Sequence, residues 1–167
     1  LYDNEGHIIT NNHVVARSNG TVQVYLANGE SVDGKVVGAD EDSDLAVVKI
    51  DLPSGIQPIE LGDSDDLHVG EPTIAIGSPL ALEYQGTVTT GVISALSRTV
   101  DDPKQRIPLL QTDAAINPGN SGGALLDAEG RLIGINSSKV VKEGYEGMGF
   151  AIPINEARRV VDSIIKH

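Results

Sequence analysis

Asn117-Pro118-Gly119-Asn120-Ser121-Gly122-Gly123 presents one serine hydroxyl in a backbone that only glycine-rich sequence can form. A serine nucleophile must stand clear of its own chain, with N–H groups turned toward the oxyanion that its attack creates. Residues without Cβ allow that turn, because they enter positive φ at little steric cost. Taken alone, the heptapeptide could equally be a glycine-rich turn between strands. It is not alone, because a histidine and an aspartate with suitable surroundings lie upstream.

Gly6 to Val15 reads as a short apolar strand running into His13. Asp40 to Ile50 reads as an acidic loop that ends, at Asp44, where a strand begins. His13, Asp44 and Ser121 thus occur in the chain order His, Asp, Ser. That is the order of the chymotrypsin arrangement, in which His takes the serine proton and Asp holds the imidazole tautomer. His7, His68 and His167 have no partner motif and read as surface histidines.

Thr-Asn-Asn-His-Val-Val (10–15), Ser-Asp-Leu-Ala-Val-Val-Lys-Ile (43–50) and Thr-Asp-Ala-Ala-Ile-Asn-Pro-Gly-Asn-Ser-Gly-Gly (112–123) together resemble the HtrA (Deg) family of serine proteases. The segments 86–94 and 149–155 extend the likeness nearly end to end. The resemblance implies His13 as general base, Asp44 as its orienter and Ser121 as nucleophile. It implies an oxyanion hole from the N–H groups of Gly119 and Ser121 with Asn120. It implies a specificity pocket walled by Ala114, Ala115 and Ile116 on one side and Ile135, Asn136 and Ser137 on the other. The activity implied is a serine endopeptidase that degrades unfolded proteins, with aliphatic residues preferred before the cut bond. No cofactor and no metal are implied, since the three side chains supply base, nucleophile and electrostatics.

The elements that must position these residues are legible in outline. Thr21–Ala27 and Glu30–Gly38 alternate about Asn28-Gly29, a two-residue hairpin signal. Asp44–Asp51 is the next strand, and the polar stretch Leu52–Gly70 reads as a crossing between two barrels. Strands follow near 72–77, 86–96, 107–112, 123–127 and 131–137. Ala157, Val160, Val161, Ile164 and Ile165 recur at helical spacing after Pro153, with Asn155 as the expected N-cap. The fold class expected is all-β: two antiparallel barrels of chymotrypsin-like type with a C-terminal helix. The expected division is 1–65 for a first barrel carrying His13 and Asp44, 66–153 for a second carrying Ser121, and 154–167 for the helix.

Composition agrees with this plan. Only 3% of the 167 residues are aromatic against 40% hydrophobic, so Val, Ile, Leu and Ala must fill the core. Nineteen glycines and eight prolines suit many turns between short strands. A formal charge of −12 argues against nucleic acid, whose binding needs clustered Lys and Arg. The absence of cysteine excludes a disulfide scaffold and a thiolate site.

Competing motifs are weaker. Asp40, Asp42 and Asp44 match half an EF-hand loop, but Leu45 stands where that loop needs glycine, so Asp40 and Asp42 read as a solvated loop. Gly119-Asn120-Ser121-Gly122-Gly123 fits the nucleophile elbow of α/β hydrolases. Those enzymes follow the order Ser, acid, His and need a helix after the serine, where this chain reads as strand. A second class of function is a chaperone or binding module on the same fold with an incompetent serine. By resemblance, the first strand of the first barrel and the family's PDZ domain lie outside these residues. The resemblance also implies a homotrimeric parent, unfolded polypeptides as partners, and the bacterial cell envelope as location. Any membrane anchor would lie in a segment absent here. A chain that starts at Leu1 without a signal peptide is expected to be a mature form or a fragment.

Overall fold

A computed structural model describes residues 1–78, 86–139 and 146–167. The first strands are β1 (His7–Asn11), β2 (Thr21–Tyr25), β3 (Ser31–Asp40) and β4 (Leu45–Lys49). They form an antiparallel sheet in the order β1-β4-β3-β2. This sheet is open, where an incomplete barrel lacking its first strand was expected. Its central strand β4 buries both faces in a row, Leu45 to Val48, and so carries no alternation. The β2–β3 connection is wider than the two-residue hairpin expected from Asn28-Gly29. Its closing bond runs from Leu26 N–H to the Glu30 carbonyl at 2.8 Å, and Asn28 Oδ1 accepts from Glu30 N–H inside the loop.

The polar crossing after β4 forms no extended strand. It meets the second sheet through a parallel bridge, Leu61 with Leu132, and through Gly70 N–H donating to the Ile93 carbonyl at 2.8 Å, and it contains a 3₁₀ turn at Ser64–Asp66. Then come β5 (Pro72–Gly77), β6 (Thr87–Arg98), β7 (Leu109–Thr112), β8 (Ala124–Leu126), β9 (Leu132–Ser137) and β10 (Gly149–Pro153). These close into an antiparallel barrel, β10-β7-β6-β5-β8-β9. Closure removes the open edges that a sheet rich in β-branched residues would otherwise present.

The terminal helix α2 covers Ile154–Lys166 and sends Ile154, Ala157 and Val161 fully inward. Its N-cap is Pro153, not Asn155. Asn155 instead fastens the helix to the crossing: its Nδ2 donates to Asp63 Oδ1 at 2.7 Å and its N–H donates to Ser64 Oγ at 3.0 Å. One buried cluster is shared by both sheets and the helix. It joins Ile9, Leu45 and Val47 of the open sheet, Leu109, Leu126, Ile135 and Ile152 of the barrel, and Ile154 and Val161 of the helix. The two sheets are thereby held as one packed body, with the ends of β1 and β4 facing the turn before β8.

Candidate active site

His13 stands on α1 (Asn12–Val15), a single turn that interrupts the chain directly after β1. Asn12 N–H donates to the Asp44 carbonyl at 2.9 Å, so the turn begins already tied to the loop between β3 and β4. Asp44 takes φ of +56°, the one non-glycine residue with positive φ among those described. Aspartate tolerates this left-handed region better than most residues, yet strain of about 1–3 kcal/mol is typical there. The conformation turns the carboxylate onto His13 twice. Oδ1 accepts from His13 N–H at 3.0 Å, and Oδ2 lies 2.6 Å from Nδ1.

A carboxylate can only accept, so the proton of this short contact belongs on Nδ1. Nε2 is then left with a lone pair, and it faces Ser121 Oγ at 3.1 Å. The imidazole is 35% exposed while the Asp44 side chain is 1% exposed. A charge buried that deeply is tolerable only when paired and hydrogen-bonded. The open sheet therefore supplies a base with its tautomer set, and the barrel supplies the hydroxyl.

Ser121 follows a 3₁₀ turn, Pro118–Asn120, closed by a reciprocal pair. Asn120 Oδ1 accepts from Asn117 N–H at 2.9 Å and Asn120 Nδ2 donates to the Ala115 carbonyl at 3.0 Å. The Asn120 N–H is itself used on the Asn117 carbonyl at 3.0 Å. It is therefore not free for an oxyanion in this conformation, contrary to the expectation for Asn120. Gly119 and Ser121 carry N–H groups with no partner among the described residues. Past the serine, Gly122 N–H donates to the Asn136 carbonyl and Asn136 N–H to the Gly123 carbonyl, at 2.8 and 2.9 Å. Gly122 has φ of +83°, and a methyl there would come within 2.5 Å of Thr10 Oγ1. Gly122 is thus required by the approach of β1 as much as by the turn, and Gly123 by the Ile76 carbonyl of β5, which a methyl would overlap.

The residues expected to wall the pocket behave unevenly. Segments 114–116 and 135–137 do flank β10, which pairs with β7 on one side and β9 on the other. The side chains of Ala114 and Ile116 lie in the barrel core, and that of Ile135 lies in the shared core. Asn136 is fully buried and spends its Nδ2 on the Ala124 carbonyl at 3.0 Å. Ala115 alone of the six is exposed, and Ser137 is buried with no partner for its hydroxyl among the described residues. Asp113 points elsewhere, accepting from Val92 N–H at 2.8 Å.

Four residues around Ser121 escaped the sequence reading. Asn11 Oδ1 accepts from Ser121 Oγ at 2.8 Å, and Ser138 N–H donates to the same oxygen at 3.0 Å. Thr10 abuts Gly122, and Gly77 leaves room for Asn120, whose Cβ a methyl at 77 would overlap. No local pattern could have found Ser138 or Gly77, whose neighbours are far along the chain. Thr10 and Asn11 lie in the same segment as His13, three and two residues before it.

Two further expectations change. Asp42 is paired with Arg106 at 3.1 Å and Glu41 with Lys104 at 2.7 Å, so the acidic loop is tied to the segment before β7 and is not simply solvated. Hydrogen bonding to the Lys104 ammonium holds the Glu41 carboxyl below its ordinary value. His7 is buried, with Nδ1 2.6 Å from Asp3, and is not a surface residue. Asp3, Glu5 and His7 form the one cluster with metal-ligand spacing among the described residues. Its Asp3 carboxylate is already occupied by His7 and the Glu5 N–H.

A family model for the trypsin-like peptidase domain matches residues 1–135. The chain is 50% identical to the serine protease Do-like HtrA of Lactobacillus helveticus, over 97% of this chain and 40% of that protein. It is 49% identical to the serine protease Do-like HtrB of Bacillus subtilis, over 98% of this chain and 36% of that protein. Among solved structures, an HtrA-type protease AlgW with a decapeptide superposes with a TM-score of 0.90 at 44% identity. That match covers 100% of this chain and 50% of the other. The chain thus spans well under half the length of these two curated relatives.

Proposed function

The chain belongs to the HtrA family of trypsin-like serine proteases, and on that premise we propose that it is a serine endopeptidase working through Ser121, His13 and Asp44. One observation carries the reading. Residues from two separate sheets form a continuous chain, Asp44 Oδ2 to His13 Nδ1 at 2.6 Å and His13 Nε2 to Ser121 Oγ at 3.1 Å.

In this reading Ser121 Oγ attacks the scissile carbonyl while His13 Nε2 takes its proton. The C–O bond forms, the carbonyl becomes an oxyanion, and the N–H groups of Gly119 and Ser121 are its donors. His13 then returns the proton to the leaving amine as the C–N bond breaks. Water repeats the sequence to release the acyl group. Asp44 holds the tautomer and stabilises the imidazolium that forms between the steps.

The substrates proposed are unfolded polypeptides in the cell envelope, cut after small or medium aliphatic residues. Support for the aliphatic preference is negative in kind: Ala115 is neutral, and the nearby Asp113 carboxylate is engaged on β6. Control is proposed to lie in the loops 101–108 and 137–147, with 140–145 outside the described residues. The first is held to the Asp44 turn by Lys104 and Arg106. A newly cut N-terminus is not needed, because Asn120 carries no charge to pair with it and its carboxamide is satisfied within its own turn. A homotrimer is proposed for the longer parent protein. No described helix is long and apolar enough to cross a membrane.

A fluorophosphonate probe tests the reading directly. Ser121 should be labelled and casein should be cut after Val, Ala, Ile or Leu. A protein that is folded but never labelled would instead be the chaperone or binding module. A cleavage profile dominated by Lys or Arg would overturn the pocket.

A further inference from the structure

Asn11 is fully buried and lies at the one place where the two halves of the site meet. It ends β1, where its backbone pairs with Leu45, the residue after Asp44. Its carboxamide is used at both ends, in opposite directions. Nδ2 donates to the Asp44 carbonyl at 3.0 Å, and Oδ1 accepts from Ser121 Oγ at 2.8 Å. The hydroxyl has one proton, so Asn11 Oδ1 at 2.8 Å and His13 Nε2 at 3.1 Å are alternative acceptors for it, and together they fix where the oxygen sits.

We propose that Asn11 is a positioning residue, whose carboxamide spans the two sheets and holds the nucleophile oxygen of one in register with the strained aspartate turn of the other. The proposal rests on the serine-peptidase reading above. Three arguments support it. First, a left-handed aspartate persists only where its surroundings over-determine it. Here the Asp44 carbonyl receives two donors, Asn12 N–H and Asn11 Nδ2, which together hold the peptide in place. Second, only an amide side chain offers a donor at one end and an acceptor at the other in so short a reach. Aspartate would match its shape but turn a second acceptor onto the Asp44 carbonyl; a hydrophobic residue would leave that carbonyl with one donor fewer. Third, a misplacement of about 1 Å between base and nucleophile can cost on the order of 10²-fold in rate. No other side chain among the described residues hydrogen-bonds both the Asp44 turn and Ser121 besides His13 itself.

The test uses the whole chain, a fluorogenic peptide with valine before the scissile bond, and a fluorophosphonate probe to count competent sites. In Asn11→Ala, kcat per labelled site should fall about 10- to 100-fold with KM within about twofold. Asn11→Asp keeps the shape and an acceptor for Ser121, and should be impaired to a similar degree because the arm to Asp44 is lost. The Nδ1 proton of His13, shared with Asp44, should move or broaden in the proton NMR spectrum of both variants. An undiminished kcat per labelled site in Asn11→Ala would overturn the proposal. So would full activity in Asn11→Asp, or an Nδ1 resonance that does not change. Failure of the unsubstituted protein to label at all would remove the peptidase reading and this proposal with it. Labelling of the unsubstituted protein with unaffected Asn11 variants would remove this proposal alone.

Discussion

In the proposed mechanism Ser121 and His13 do different parts of one proton transfer, so losing either should be as damaging as losing both. Ser121→Ala and His13→Ala are each expected to reduce casein cleavage by roughly 10⁶ in kcat, to background, with the fold intact. Turnover above a trace in Ser121→Ala would show a different nucleophile. Gly77 makes a subtler claim about the same centre. Its Cα lies against Asn120, and an added methyl would overlap the Asn120 Cβ and crowd its Cα. Gly77→Ala should therefore displace the turn that presents Ser121 and lower kcat by on the order of 10²-fold. Melting temperature should shift much less than activity, because Gly77 ends β5 and the overlap falls on the turn that carries Ser121. An activity loss that merely follows unfolding would place Gly77 in the core and not in the site.

The hairpin between β8 and β9 must be rigid, because Asn136 on β9 holds the Gly122-Gly123 backbone. Its tip is fixed by Asp127, which is buried and accepts from Glu129 N–H at 2.9 Å, Arg131 N–H at 3.0 Å and Arg131 Nε at 2.9 Å. Burial alone would raise the Asp127 carboxyl, but these donors favour the ionised form and the net effect places it below the ordinary value. A carboxyl lowered on folding stabilises the native state above its unfolded pKa of about 3.9. That contribution is lost as the pH falls through the folded value. Asp127→Ala should cost about 2 kcal/mol in urea unfolding at neutral pH. The gap between the two proteins should narrow as the pH drops below the carboxylate range. A gap that stays constant with pH would mean the cost is packing and not the ionised carboxylate.

The helix α2 lies across both sheets, against β3 and β4 of the first and β9 and β10 of the second. Ile154 at its start is fully buried in the core that both sheets share. Ile154→Ala should destabilise the protein by about 2–5 kcal/mol. Because the site is divided between the sheets, loosening their common core should also lower kcat for each molecule that remains folded. Measuring unfolding and fluorophosphonate labelling rate on the same sample separates the two effects. A labelling rate unchanged at equal folded fraction would show that the site does not depend on the helix.

Much of this was written locally. The turn at Ser121 needs glycine for reasons of backbone conformation, the histidine follows a readable apolar strand, and the aspartate precedes one. The fold class followed from strands punctuated by glycine and a final stretch of helical spacing. Other features depended on partners distant in the chain. Asn155 looked like a helix cap until Asp63 and Ser64 were brought beside it. His7 looked solvated until Asp3 and β4 enclosed it, and Ile135 looked like a pocket wall until the shared core claimed its side chain. Asn11 shows the division most clearly: its neighbours in sequence mark it as the end of a strand. Its role follows only from Ser121 arriving from the other sheet, because a hydrogen bond is decided by where two atoms meet and not by the spacing of their residues.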